Sequence, residues 1–117
     1  MLARFGLALL VFVSIAVVQS HEDPAVTYAR RIVAGEKTYK PLSGYVPDAE
    51  TAISIAKAVL APIYGDAKIN GEAPWHAGLS QGVWTVVGTF NGKGNGGEAI
   101  IQIDKETASI KFVGHTM

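Results

Sequence analysis

The chain has 117 residues, 49% hydrophobic and 17% charged, with ten basic residues against ten acidic ones and no cysteine. A chain of that length holds one small domain. The charge balance leaves no basic stripe of the kind a nucleic-acid binder needs, and neither a disulfide nor a lipid attached through cysteine can form.

The first twenty residues have the three-part layout of a secretory signal peptide. Met1 to Arg4 is a short basic start, Phe5 to Val18 is an apolar run, and Val18-Gln19-Ser20 offers a cleavage site. The run is shorter than the roughly 20 residues of a bilayer span. Cleavage near Ser20 is therefore expected rather than an uncleaved anchor, with no membrane span in what remains. The product starting at His21 would be periplasmic or secreted, with nine basic residues against ten acidic. Three segments are expected: a signal peptide over 1–20, a short helix and loop over 21–45, and the main domain over 46–117.

Asp23-Pro24 is a helix-start signal, with aspartate as N-cap and proline at the first helical position. The spacing predicts a short helix over Ala25 to Ala34, stopped by Gly35, with Arg30 and Arg31 on its solvated side. Glu36 to Gly44 lacks periodicity and reads as a loop, with Tyr39, Leu42 and Tyr45 as plugs against the core. The main helix, over about 48–61, follows. Ile53, Ala56, Leu60 and Ile63 recur at helical spacing, widened by Ala52, Ile55 and Val59. Asp48 caps it and Glu50 adds charge where the helix dipole favours it. Pro62 is expected to stop or kink it near Leu60 or Ala61, and Gly65 to close its last turn.

Asp66 to Pro74 is polar, contains Asn70-Gly71, and reads as a turn-rich link. Trp75 to Leu79 is a short strand, joined by Ser80-Gln81-Gly82 to a strand running from Val83 to Phe90. In that strand Trp84, Val86, Gly88 and Phe90 share one face. Gly88 in mid-strand marks a bulge or bend. A glycine-rich loop, Asn91 to Gly97, leads to Glu98–Asp104, where Ala99, Ile101 and Ile103 face one way. A turn over Asp104 to Ala108 precedes a last strand, Ser109 to Val113, with Ile110 and Phe112 inward. One amphipathic helix followed by a meander of three to four antiparallel strands is an α+β fold, the helix packed on a small curved sheet.

The search for chemistry returns no catalytic constellation. His21, His76 and His115 lack the spacing of a metal site, and His76 and His115 read as strand-edge and tail residues. His21 would become the amino-terminal residue after cleavage, where an amine plus imidazole suits copper; it is the one long-shot metal ligand. The glycine-rich loop lacks the G-x-x-x-x-G-K-[ST] pattern of a phosphate cradle. No cysteine nucleophile, serine elbow or opposed carboxylate pair stands out. No cofactor is expected. Trp84 is assigned to the core and Trp75 to a surface rim.

Gly44 to Gly65, G-Y-V-P-D-A-E-T-A-I-S-I-A-K-A-V-L-A-P-I-Y-G, resembles the opening motif of a bacterial family of NTF2-fold immunity proteins. The likeness continues through Lys68-Ile69-Asn70, Trp75, Val83 to Thr89, a glycine-rich loop and Gly97 to Asp104, and ends near Phe112. The family closes with Asp-Lys-x-Thr-Gly-x-Ile; here Ala108 stands at the glycine position, which suggests a slightly different turn. The helix-then-hairpin pattern is also similar to PepSY-type modules of exported proteins.

The resemblance implies a reduced NTF2-like or cystatin-like domain over 46–117. It also implies a non-enzymatic function, binding and neutralising a cognate bacterial toxin. Surfaces the core does not need are the expected contacts: Trp75 and His76 at the strand edge, Asn91, Lys93 and Asn95 in the loop, and the turn from Asp66 to Glu72. A periplasmic small-ligand or copper-binding module is the alternative, and an enzyme on an NTF2-like cone ranks last.

Overall fold

The computed structural model describes residues 6, 10, 11, 21–92 and 97–117. The expected signal segment therefore lies, apart from Gly6, Leu10 and Val11, outside the described residues, as do Lys93 and Asn95. The chain forms two compact units, Met1–Thr38 and Tyr39–Met117.

The first unit contains α1, Pro24–Gly35. Asp23 caps it by accepting the Ala25 N–H at 2.8 Å, with Pro24 where a missing N–H costs nothing. Arg30 pairs with Glu22, and none of the helix's residues is buried.

In the second unit, α2 (Ala49–Tyr64) lies on a sheet of four strands. Asp48 accepts the Thr51 N–H at 2.8 Å. Hydrogen bonds from Thr51, side chain first and then backbone, hold the Asp48 carboxyl below its usual range. Ala52, Ala56 and Leu60 are fully buried at four-residue spacing, with Ile53, Ile55 and Val59 packed beside them. The stripe continues to Tyr64 rather than to Ile63, which is 55% exposed.

The stop expected near Leu60 does not occur; Pro62 lies inside α2. Its fixed φ suits a helix, and near the C-terminus it forfeits one ladder bond without breaking a long run. Gly65, at φ +93°, donates to Ala61 O at 2.8 Å and closes the helix. The expected link then begins as α3, Asp66–Gly71, with Ile69 buried.

The sheet comprises β1 (His76–Ser80), β2 (Val83–Val87), β3 (Ala99–Asp104) and β4 (Ile110–His115). It is antiparallel, in the order β1-β2-β3-β4, curved and unclosed. This is the α+β architecture expected. Gln81 and Gly82, both at positive φ, form the two-residue connection whose twist suits a hairpin. Alternation places Trp84 and Val86 of β2 and Ala99, Ile101 and Ile103 of β3 in the core.

Two strand expectations change. β2 ends at Val87, so Phe90 is left 46% exposed. In β4, a register shift at Gln102/Ile103 sets Ile103 opposite Ile110 but Gln102 opposite Phe112. The extra residue, Lys111, turns Phe112 to the outer face, and Val113 packs inward in its place. Ile110 is also exposed.

The loop before α2 is sewn to the β3–β4 turn. Tyr45 and Val46 donate backbone bonds to Glu106 O and Lys105 O. Gly44, at φ +80°, passes so close that a Cβ there would lie 2.5 Å from Lys105 O. The plug is Val46, fully buried; Tyr39 and Leu42 are exposed, and Tyr45 is 38% exposed. The Trp84 indole N–H donates to Val46 O at 2.8 Å, tying this loop to the centre of the sheet.

Across the turn, Asp104 Oδ1 accepts the N–H groups of Glu106 and Thr107 at 3.0 and 2.9 Å. The Thr107 N–H is the main reason the Asp104 carboxyl sits below its usual range. Ala108 holds φ +63°. That is the left-handed region, which favours glycine.

Two stability predictions follow from these contacts. Ala108→Gly relieves left-handed strain of about 1 kcal/mol, partly offset by glycine's extra unfolded-state freedom, so its urea midpoint should rise. Trp84→Phe leaves the buried Val46 carbonyl without its donor, a cost of about 1–3 kcal/mol; its midpoint should fall with an unchanged m-value.

Candidate functional site

At one end of the second unit, the α3 segment, the chain leaving β2 and the chain entering β3 enclose a recess of about 150 Å³. Its walls are Ala67, Lys68, Gly71 and Glu72 on one side and Thr89, Phe90, Asn91 and Gly97 on the other. The two sequence stretches expected to supply contacts, Asp66 to Glu72 and the loop beginning at Asn91, therefore meet there.

Glu72 organises this end. Only 6% exposed, it is the buried charged residue among those described. Its carbonyl accepts the Thr89 N–H at 2.7 Å, and its Oε1 accepts the Ala99 N–H at 2.7 Å. It thereby bridges the exit of β2 and the entry of β3, where Gly88 still donates to Ala99 O at 3.1 Å. Oε2 is buried and has no hydrogen-bond partner. Lys68 Nζ, one helical turn away, lies 3.7 Å from it. That is ion-pair distance but too long for a hydrogen bond. A buried carboxylate with an open acceptor calls for a donor, since leaving it unmade is costly.

Gly88 makes the arrangement possible. A Cβ on it would stand 2.6 Å from Glu72 Oε1, 2.8 Å from Glu72 Cβ and 3.1 Å from Trp75 Cη2. The mid-strand glycine expected to mark a bend is thus the point where the Glu72 and Trp75 side chains cross the strand.

The expected contact residues separate. Trp75 is buried, 9% exposed, and its indole N–H donates to Ile69 O at 3.2 Å; it belongs to the core and not to the rim. His76 is exposed at the start of β1, opposite Val87. Asn91 is exposed on the recess wall, with Nδ2 3.4 Å from Gly71 O. Lys93 and Asn95 lie outside the described residues. The return of the loop is pinned where Glu98 N–H donates to Thr116 Oγ1 at 2.9 Å and that hydroxyl donates to the Glu98 carboxylate. The Thr116 hydroxyl is the leading reason that the Glu98 carboxyl sits below its usual range.

The burial of Glu72 was hidden from sequence reading, although its turn was marked as a contact, because a glutamate in a polar turn is nearly always solvated. Gly88, distant along the chain, was its one sign.

The histidines do not assemble. His21 is exposed in the first unit, while His115 ends β4 instead of lying in a tail, with Nδ1 3.3 Å from Tyr64 Oη and the rings edge to face. Among the described residues, no group of three His, Cys, Asp or Glu side chains could hold a metal. No helix among them is long and apolar enough to cross a membrane.

A helix on a curved, unclosed four-stranded antiparallel sheet is an NTF2-like α+β scaffold. A family model for NTF2 fold immunity proteins matches residues 51–117, more than half of the chain and nearly all of α2 through β4. The chain belongs to that family. No curated protein and no solved structure matches it.

Gly88→Ala tests the crossing. The added methyl forces Glu72 and Trp75 to shift, an overpacking cost of about 1–3 kcal/mol. A lowered denaturation midpoint and accelerated exchange of the Ala99 amide proton are expected; wild-type behaviour in both would refute the crossing.

Proposed function

We propose that the chain is an exported, non-enzymatic immunity protein that neutralises a cognate bacterial toxin by binding it. The observation that carries this reading is the family match over 51–117, which supports a protein-binding role of immunity type. Such a protein needs a specific surface on a stable scaffold. The recess end offers one: Asn91 and Phe90 stand exposed around a charged pocket, on segments held by Glu72. His76 is a further exposed candidate at the sheet edge. The signal-peptide layout of the first twenty residues supports export, to where an incoming toxin would meet the periplasm or envelope.

The test uses the full chain with a C-terminal tag, expressed from its own start so that the cell processes it. Capture from envelope and secreted fractions, read by mass spectrometry, should return one stoichiometric partner at nanomolar affinity, about −12 kcal/mol. Expressed alone, that partner should arrest growth, and coexpression of this chain should restore it. The intact mass of the captured chain should show loss of the segment ending near Ser20. A harmless partner, or none, would overturn the immunity reading; an uncleaved cytosolic chain would overturn export.

A further inference from the structure

The recess at Glu72 is built to take a cation. Its deepest polar group is a carboxylate whose side chain is 8% exposed, anchored through Oε1 to the Ala99 N–H and open at Oε2. Beside it is the Gly71 carbonyl, reached by Asn91 Nδ2 only at 3.4 Å, longer than a good N–H···O bond. Both are acceptors on residues that line a space of about 150 Å³, room for several waters or one planar cationic head group.

The chain supplies its own cation at the site. Lys68 Nζ lies 3.7 Å from Oε2, offsetting the charge without making the hydrogen bond. Lys68 is itself partly exposed, 36%, on a flexible four-carbon stem. Oε2 has almost no solvent-accessible surface, and Lys68 is the cation beside it, so an incoming donor competes with Lys68 for that place.

We propose that this recess is the specificity pocket for the protein partner, and that it receives an arginine side chain whose guanidinium displaces Lys68 Nζ and donates to Glu72 Oε2. The assignment rests on the reading of the chain as a toxin-binding protein. Arginine fits better than lysine because its planar head presents five donors in fixed directions, so one can go to Oε2 while others remain for acceptors on the recess wall. A charge-assisted bond to a carboxylate in a desolvated pocket is also where interface energy concentrates. Glu72 is preorganised for it, since Oε1 is already fixed to the backbone at the entry of β3.

The probe is N-acetyl-arginine amide, titrated into the tagged full chain as the cell processes it and read by amide chemical shifts. Saturable shifts are expected at Ala67, Asn91, Gly97 and Ala99, at least tenfold weaker with the neutral citrulline analogue. Glu72→Gln keeps an oxygen for the Ala99 N–H but removes the charge, and should abolish the response. Lys68→Met removes the resident competitor and should tighten probe binding several-fold; this variant keeps the test decisive even if Glu72→Gln does not fold.

Absence of saturable shifts, an equal response in Glu72→Gln, or no gain in Lys68→Met would each overturn the pocket and leave Glu72 a purely structural bridge. The two readings fail separately. A captured toxin whose affinity changes less than twofold in Glu72→Gln removes the pocket alone. Intact arginine-probe binding without any toxin removes the immunity reading alone.

Discussion

The bond from the Trp84 indole to the Val46 carbonyl is the constraint on which the second unit depends. Trp84 lies on β2, an inner strand of the sheet, paired with Leu79 of β1 and Ile103 of β3. Val46 stands two residues before the Asp48 cap of α2. One side chain therefore fixes where the helix begins relative to the sheet on which it lies. The flanking contacts reinforce that choice: Val46 N–H on Lys105 O, the close passage of Gly44, and the Asp104-capped turn below. The indole must satisfy a buried carbonyl as well as fill space, so the position is specified by geometry and not by hydrophobicity alone.

At the opposite end, Glu72 does for the chain connecting helix to sheet what Trp84 does for the entrance. Its backbone and its side chain reach two different strands' ends, and Gly88 and Trp75 form the gap through which it passes. Burying a carboxylate costs free energy that a nonpolar residue would not. The cost is partly met by the Ala99 N–H and by Lys68, and the acceptor left over gives this end of the molecule a chemical preference for donors. In the proposed pocket, structure and recognition share one residue. A change at Glu72 that keeps an oxygen for Ala99 separates the two roles.

Membership of an immunity family fits a scaffold that presents a binding surface. A helix on a small open sheet leaves its connecting segments outside the core, and surface segments can diversify while the scaffold persists. The recess lies between such segments, at the exits of α3 and β2. Its wall, however, carries the buried Glu72, whose carboxylate is fixed to the entry of β3, and a preorganised group favours selective binding over mere contact.

The sequence by itself determined those features that depend on near neighbours. The Asp23 and Asp48 caps, the α2 stripe through Ala52, Ala56 and Leu60, the Gln81-Gly82 hairpin and the alternation in β2 and β3 all reflect local periodicity or local turn chemistry. The family was legible too, from the stretch between Gly44 and Gly65 and the strands after it. Only the tertiary structure decided the rest. It carried α2 through Pro62, buried Trp75 against Ile69, turned Phe112 outward through one extra residue in β4, and put Ala108 in a glycine's conformation. Half of the candidate site was legible, in that the Asp66 to Glu72 turn and Asn91 were marked as contacts, but the burial of Glu72 within it was not. A polar residue is buried only when a distant group satisfies it, and the partner of Glu72 is an amide twenty-seven positions away. No pattern within a few residues of Glu72 records that meeting.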